Sequence, residues 1–176
     1  HTYTAAREAE QASRAIPFVV GPEGEEVLLG LAGNVARPTG IVTGITLTNS
    51  QWDQKSLQFL KDIAPRTRKV AVVFNPDNPD AQQSLRGLSH GLGPLGLALV
   101  RVDARGAGDV TQAFAAAAAA GADAMFLTND SVLAGTPVVR MRFIEVATAR
   151  RVPLVSSQYA VAADGSPAAF KDCAYM

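Results

Sequence analysis

Lys69–Pro79 reads KVAVVFNPDNP, an uncharged run from Val70 to Phe74 that passes without a spacer into Asn75-Pro76-Asp77-Asn78. A β-branched run with no polar alternation suits a strand covered on both faces, and the small polar residues after it suit a turn at the strand end. Toward the C-terminus the pattern recurs: LVRV (99–102) runs into Asp103, AMFL (124–127) into Thr128-Asn129-Asp130-Ser131, and PLV (153–155) into Ser156-Ser157-Gln158. Between these runs lie segments of helical spacing. Pro79 to Leu92 carries Ala81, Leu85, Leu88 and Leu92 on one stripe behind an early-turn proline. Asp109 is expected to cap an alanine-rich helix over Val110–Ala120, and Val138–Arg150 reads as a third helix. Strand starts at Val70, Leu97, Ala124 and Pro153 repeat about every 28 residues, the size of one βα unit. The fold class is therefore α/β, with parallel strands and right-handed crossovers.

Composition narrows the function classes. Sixteen acidic and sixteen basic residues cancel, so no net charge draws the chain to nucleic acid or to a membrane surface. Apolar residues make up 48%, which fits a globular chain. The lone Cys173 has no internal disulfide partner. No apolar run approaches the roughly 20 residues needed to span a bilayer. The chain opens on His1 without a methionine or a signal-peptide pattern, so a mature or truncated product is expected.

The first third is less regular. Thr4–Ala15 has helical composition, Ile16–Val20 reads as a strand ending at Gly21-Pro22, and Glu25–Leu31 as a further helix. After the turn-rich 36–40, Ile41–Leu47 is a strand and Gln51–Ile63 a helix. A boundary is placed near Leu47–Ser50, giving units 1–48 and 49–165 and a tail, 166–176.

Gly91-Leu92-Gly93-Pro94-Leu95-Gly96 matches the dinucleotide fingerprint G-x-G-x-x-G in letters only. That motif works after a strand and at a helix N-terminus, where backbone N–H groups meet a pyrophosphate. Here it follows a helix, precedes a strand, and loses one donor to Pro94, so it is read as a helix stop and turn. Catalysis and metal binding find little footing. His90 sits in the last turn of a helix, the ligand types for zinc are not clustered, and the carboxylates Glu23, Glu25 and Glu26 suit a helix start. Arg140, Arg142, Arg150 and Arg151 read as a solvated helix face and its C-terminus. No catalytic residue, cofactor or metal site is assigned.

The strand-end residues remain. With strand order 2-1-3-4, the crevice of such a sheet opens between its first and third strands, whose loops are Asn75–Asn78 and Thr128–Ser131. Their amides and carboxylates can donate to or accept from a polar ligand. Equally, Asn75 with Asp77, and Asn129, can build Asx-turns that start the next element. Each loop alone fits either reading, and two such loops facing one crevice favour the ligand.

Four segments then carry a family resemblance: Ala5–Val20 (AAREAEQASRAIPFVV), Leu31–Gly44 (LAGNVARPTGIVTG), Leu57–Pro65 (LQFLKDIAP) and Arg68–Pro79 (RKVAVVFNPDNP). In order and spacing the chain resembles the substrate-binding proteins of ABC importers of the tryptophan/tyrosine type, with an A-R-P-x-G loop and an N-P strand end. The helix-to-strand turn Gly93–Leu99 resembles theirs as well. It departs from them in three places: Gly21-Pro22-Glu23 replaces G-D-P, Thr39-Gly40-Ile41 replaces the end of the A-R-P-G-G-N loop, and Ser166–Met176 lacks a G-x-x-x-Y-G strand.

The resemblance implies a type I periplasmic binding protein fold, two Rossmann-like lobes that close over a small molecule and hand it to ABC permease subunits without catalysis. The chain would then hold the end of the first lobe, a hinge strand and nearly all of the second lobe, with most of the first lobe and a signal sequence upstream of His1. The resemblance places Asn75, then Thr128, Asn129 and Asp130, at positions that contact an amino acid or related solute; Asp77 and Asn78 join them as candidates because they share the first crevice loop. Ser157 and Gln158 fall where the fourth strand nears the hinge and cleft. It also implies a periplasmic or extracytoplasmic location. Exposed apolar surface on a partial sheet leads to an expected homodimer. Two other readings stay open: a ligand-sensing regulatory domain of the same fold, and a flavodoxin-like enzyme using the same loops.

Overall fold

A computed structural model describes residues 8–12, 15–24, 32–34, 37–47, 49–158 and 161. The expected helix Glu25–Leu31 and the tail Ser166–Met176 lie outside these residues, as does most of Thr4–Ala15, of which 8–12 are helical. The chain divides into two compact units, His1–Asn49 and Ser50–Met176.

In the first unit, β1 (Phe18–Gly24) pairs in parallel with β2 (Val42–Leu47), from Phe18 opposite Val42 to Gly24 opposite Leu47. The expected end of β1 at Gly21-Pro22 is corrected: the strand continues to Gly24, with a register shift between Val20 and Glu23. A bulge is where a strand tolerates proline, because the missing N–H falls at a position that needs no ladder bond. Val20 and Val42 are buried and pack with Phe18 and Ile41.

The second unit is a Rossmann-like three-layer sandwich. Its elements run α1 (Asn49–Ile63), β3 (Lys69–Phe74), α2 (Pro79–Leu92), β4 (Ala98–Asp103), α3 (Val110–Ala119), β5 (Ala124–Leu127), α4 (Pro137–Arg150) and β6 (Leu154–Val155). Every strand pair is parallel and the order is β4-β3-β5-β6. Alternation along the strands feeds two cores. Val70 and Val72 of β3, Ala124 and Phe126 of β5 and Val155 of β6 pack with Leu57, Leu60, Leu88 and Leu92 of α1 and α2. Ala71 and Val73, Met125 and Leu127, and Leu154 pack on the other face with Phe114 of α3 and Phe143 and Ala147 of α4. Two-sided burial explains why these strands carry no polar alternation, each buried Val, Leu or Phe contributing about 1.5–3 kcal/mol.

The glycine-rich stretch is a helix stop. After α2 a 3-10 turn, Gly93–Leu95, ends at Gly96 in the left-handed region (φ 64°), and Leu97 N–H donates to Leu92 O at 3.0 Å. Two expectations for charged residues need correction. Asp109 stands at the α3 N-cap position, but its carboxylate makes no cap bond; it accepts from the Arg105 backbone N–H at 2.7 Å instead. Arg140 is buried, and Arg142 alone of that pair lies on the solvated face, beside Glu145. Among the described residues of the second unit, Ile63, Val138 and Met141 are the exposed large apolar side chains, and the expected homodimer finds no support.

Candidate functional site

Because β3 connects to β4 on one side and β4 returns across to β5 on the other, the sheet has its switch point between β3 and β5. Asn75–Asn78 and Thr128–Ser131 follow those two strands and share its C-terminal edge. The N-terminal part of α1 lies at the same edge, since α1 runs back toward the start of β3, and the residues after β6 join it.

The β3 loop is a built turn. Asn75 Oδ1 accepts from Asp77 N–H at 3.0 Å, and Asn78 N–H donates to Asn75 O at 3.1 Å. The Asx-turn alternative is therefore realised at Asn75, leaving its amide nitrogen without a partner among the described residues. Asn78 is buried, and its Nδ2 donates to Asp130 Oδ2 at 2.6 Å, tying the two loops together. Asp77 goes the other way, to an exposed ion pair with Arg105 at 3.0 Å that contributes at most about 1 kcal/mol.

The β5 loop is organised by Asp130, which is fully buried. Its Oδ1 accepts from Val132 N–H and Leu133 N–H, both at 2.8 Å. The turn role expected of Asn129 thus belongs to its neighbour. Thr128 is buried, and both its hydroxyl and its backbone N–H donate to Val73 O, at 3.0 and 3.1 Å. Behind the turn, Arg140 Nη1 donates to Ala134 O and Gly135 O at 2.9 and 3.1 Å. Gly135 permits the tight packing, because a Cβ there would stand 2.5 Å from Ser131 O. Asn129, half-buried on this rigid frame, makes no hydrogen bond among the described residues.

At the end of β6, Ser156 is buried and its Oγ accepts from Gln158 N–H at 3.1 Å. The Ser157 hydroxyl donates to Asp53 Oδ1 at 2.6 Å. Asp53, on α1, is 1% exposed, and its carboxyl is raised from 3.8 to about 6 by burial, an effect the Ser157 hydroxyl partly offsets. Asp53 Oδ2 and Gln158 Oε1 are both enclosed without a hydrogen-bond partner among the described residues. Sequence reasoning passed over Asp53, although a signal existed: it lies four and seven residues before Leu57 and Leu60, on the apolar stripe of α1.

Among the described residues the edge therefore presents a hydrogen-bonded frame with few uncommitted polar groups. Asn75 Nδ2 and the Asn129 amide are available to a ligand from the two crevice loops, and two acceptors, Asp53 Oδ2 and Gln158 Oε1, stand beside β6. Such a set is suited to holding a polar molecule by hydrogen bonds. Among the described residues no group of three His, Cys, Asp or Glu side chains is placed to hold a metal ion.

A family model described as ABC transporter substrate binding protein matches residues 2–172. The chain belongs to that family. No curated protein matches the chain. Among solved structures it is similar to an ABC domain from Streptococcus pneumonia in complex with L-Trp, at 15% identity and a TM-score of 0.80. A conserved domain protein from Vibrio cholerae is similar at 22% identity and a TM-score of 0.79. The alignments cover 93% of this chain in both cases but 55% and 53% of those chains, so it spans about half their length. A leucine binding protein from Thermotoga maritima aligns at 12% identity and a TM-score of 0.57 over 88% of this chain and 48% of its own. The fold is that of type I periplasmic binding proteins. The family is a substrate-binding one, and no helix among the described residues is long and apolar enough to cross a membrane.

Proposed function

We propose that the chain is part of the solute-binding component of an ABC importer, capturing a small polar molecule, an amino acid or a close relative, in a cleft between two lobes. On this reading residues 1–48 are the end of the first lobe with the hinge strand, 49–165 the second lobe and 166–176 a tail. The protein works outside the cytoplasmic membrane, delivers its solute to permease subunits and catalyses no reaction. The observation that carries the reading is the pair of strand-end loops at the switch point, tied by Asn78 and Asp130 and leaving Asn75 Nδ2 and the Asn129 amide uncommitted among the described residues. Membership in a substrate-binding family supports it, as do the L-Trp and leucine named for two structural relatives. In this scheme Asn75, Asn129, Ser157 and Gln158 meet the solute, while Asn78, Thr128 and Asp130 hold the frame and Asp77 lies at its rim. The regulatory alternative gains nothing from a match to a transport family.

Mass spectrometry of small molecules retained by the whole protein after equilibration with a mixture of L-amino acids tests the reading. Retention of one of them is expected, and retention of none overturns the assignment to amino-acid-like solutes.

A further inference from the structure

Asp53 is a buried acid that neither crevice loop explains. Its place on α1 belongs to the stripe that supplies Leu57, Leu60 and the partly buried Ala64 to the core, where packing alone favours an apolar residue. Instead a carboxylate stands there with Oδ1 engaged by the Ser157 hydroxyl and Oδ2 stranded. The next residue, Gln158, strands a second oxygen, Oε1. Both orphaned atoms are acceptors, and the Ser157 hydroxyl that meets Asp53 is already spent as a donor. Oxygens sealed from water without a donor are costly to keep, so the site calls for a group that brings N–H bonds, and the carboxylate calls for positive charge.

We propose that Asp53, Ser157 and Gln158 form an acceptor subsite for a primary ammonium group of the solute, an inference that rests on the solute-binding reading of the same sheet edge. A compact ammonium fits better than a guanidinium. The planar fork of a guanidinium pairs with both oxygens of a carboxylate at once, and Oδ1 is already held by Ser157 at 2.6 Å. Gln158 is half-buried on the loop after the two-residue strand β6 rather than on a helix, and on this proposal its side chain shifts to admit the ammonium. The ammonium then donates to Asp53 Oδ2, Gln158 Oε1 and the Ser157 hydroxyl oxygen, whose own hydrogen keeps the carboxylate oriented. Asn75 and Asn129, across the switch point, are left to donate to the acceptor end of the same solute.

Carbon-13 NMR of the Asp53 carboxyl in the whole protein, titrated across the acidic and neutral range, tests the subsite with methylammonium chloride as probe. Tetramethylammonium chloride, which has the charge but no N–H, and sodium chloride are the controls at equal ionic strength. For a probe of two non-hydrogen atoms the best attainable Kd is on the order of 10 mM. At about 100 mM, methylammonium should then favour the ionised carboxylate roughly tenfold and lower the midpoint by about one pH unit. Equal midpoints in methylammonium and tetramethylammonium overturn the proposal, and an equal drop in sodium reassigns the site to a bare cation and overturns it too. If no amino acid is retained but methylammonium still lowers the midpoint, the solute class fails and the subsite stands. If an amino acid is retained and the midpoint does not move, the subsite fails alone.

Discussion

Asp53→Asn is expected to make the protein more stable near neutral pH while weakening solute binding, and the size of the first effect follows from the buried carboxyl. Its value rises from 3.8 to about 6 on folding. A carboxyl raised on folding leaves stability intact below its unfolded value, because the proton is bound in both states; stability is then lost as pH climbs through the folded value. Roughly two pH units at about 1.4 kcal/mol each give about 3 kcal/mol lost between pH 4 and pH 7 from this one group. Asparagine keeps the shape and an oxygen for the Ser157 hydroxyl but carries no charge to desolvate. The variant should therefore match the wild type near pH 4 and exceed it by about 2–3 kcal/mol near pH 7.5, or roughly 5–10 °C in Tm. Urea denaturation at several pH values reads the difference directly, and other titrating groups cancel between the two proteins. A variant less stable than wild type at pH 7.5, or a difference that does not change with pH, would refute the reasoning. A purely structural Asp53 predicts that result, since removing a useful charge lowers stability.

Three further substitutions probe the frame and the crevice. Asp130→Ala strips three hydrogen bonds from a fully buried site and strands Asn78 Nδ2, so a loss of about 3–5 kcal/mol is expected in urea denaturation, and a loss near zero contradicts the role given to the turn. Gly135→Ala sets a Cβ 2.5 Å from a backbone oxygen, and a cost of about 1–3 kcal/mol should appear as a lower Tm; an unchanged Tm would show that the turn can yield. Asn75→Ala is expected to weaken solute binding at least about tenfold by calorimetry, and Asn129→Ala to weaken binding with stability unchanged, because Asn129 makes no hydrogen bond among the described residues. Unaltered affinity in both variants would remove these loops from the site.

Much of the architecture could be read from local pattern. Val70–Phe74, Pro79–Leu92 and Ala124–Leu127 are bounded by prolines, glycines or polar clusters, and the structure returns their limits within a residue. The order β4-β3-β5-β6 is the common 2-1-3-4 arrangement assumed for regular parallel βα units. Sites were less legible. Pro22 argued for a strand end and met a bulge that accommodates it. Arg140 resembled any surface arginine near a helix start, until the turn before α4 folded back and offered it two carbonyl oxygens.

By itself the sequence determined the class of the fold and the strand ends where polar residues collect, because apolar periodicity and turn chemistry act between residues close along the chain; the strand order was a premise that the structure bears out. Only the tertiary structure decided which polar residues are committed and which are left over. Asn78 is spent on Asp130, 52 residues away, and Asp53 Oδ1 accepts from the Ser157 hydroxyl, 104 residues away. Burial and hydrogen-bond satisfaction depend on what the fold brings within about 3 Å, and no local pattern encodes that.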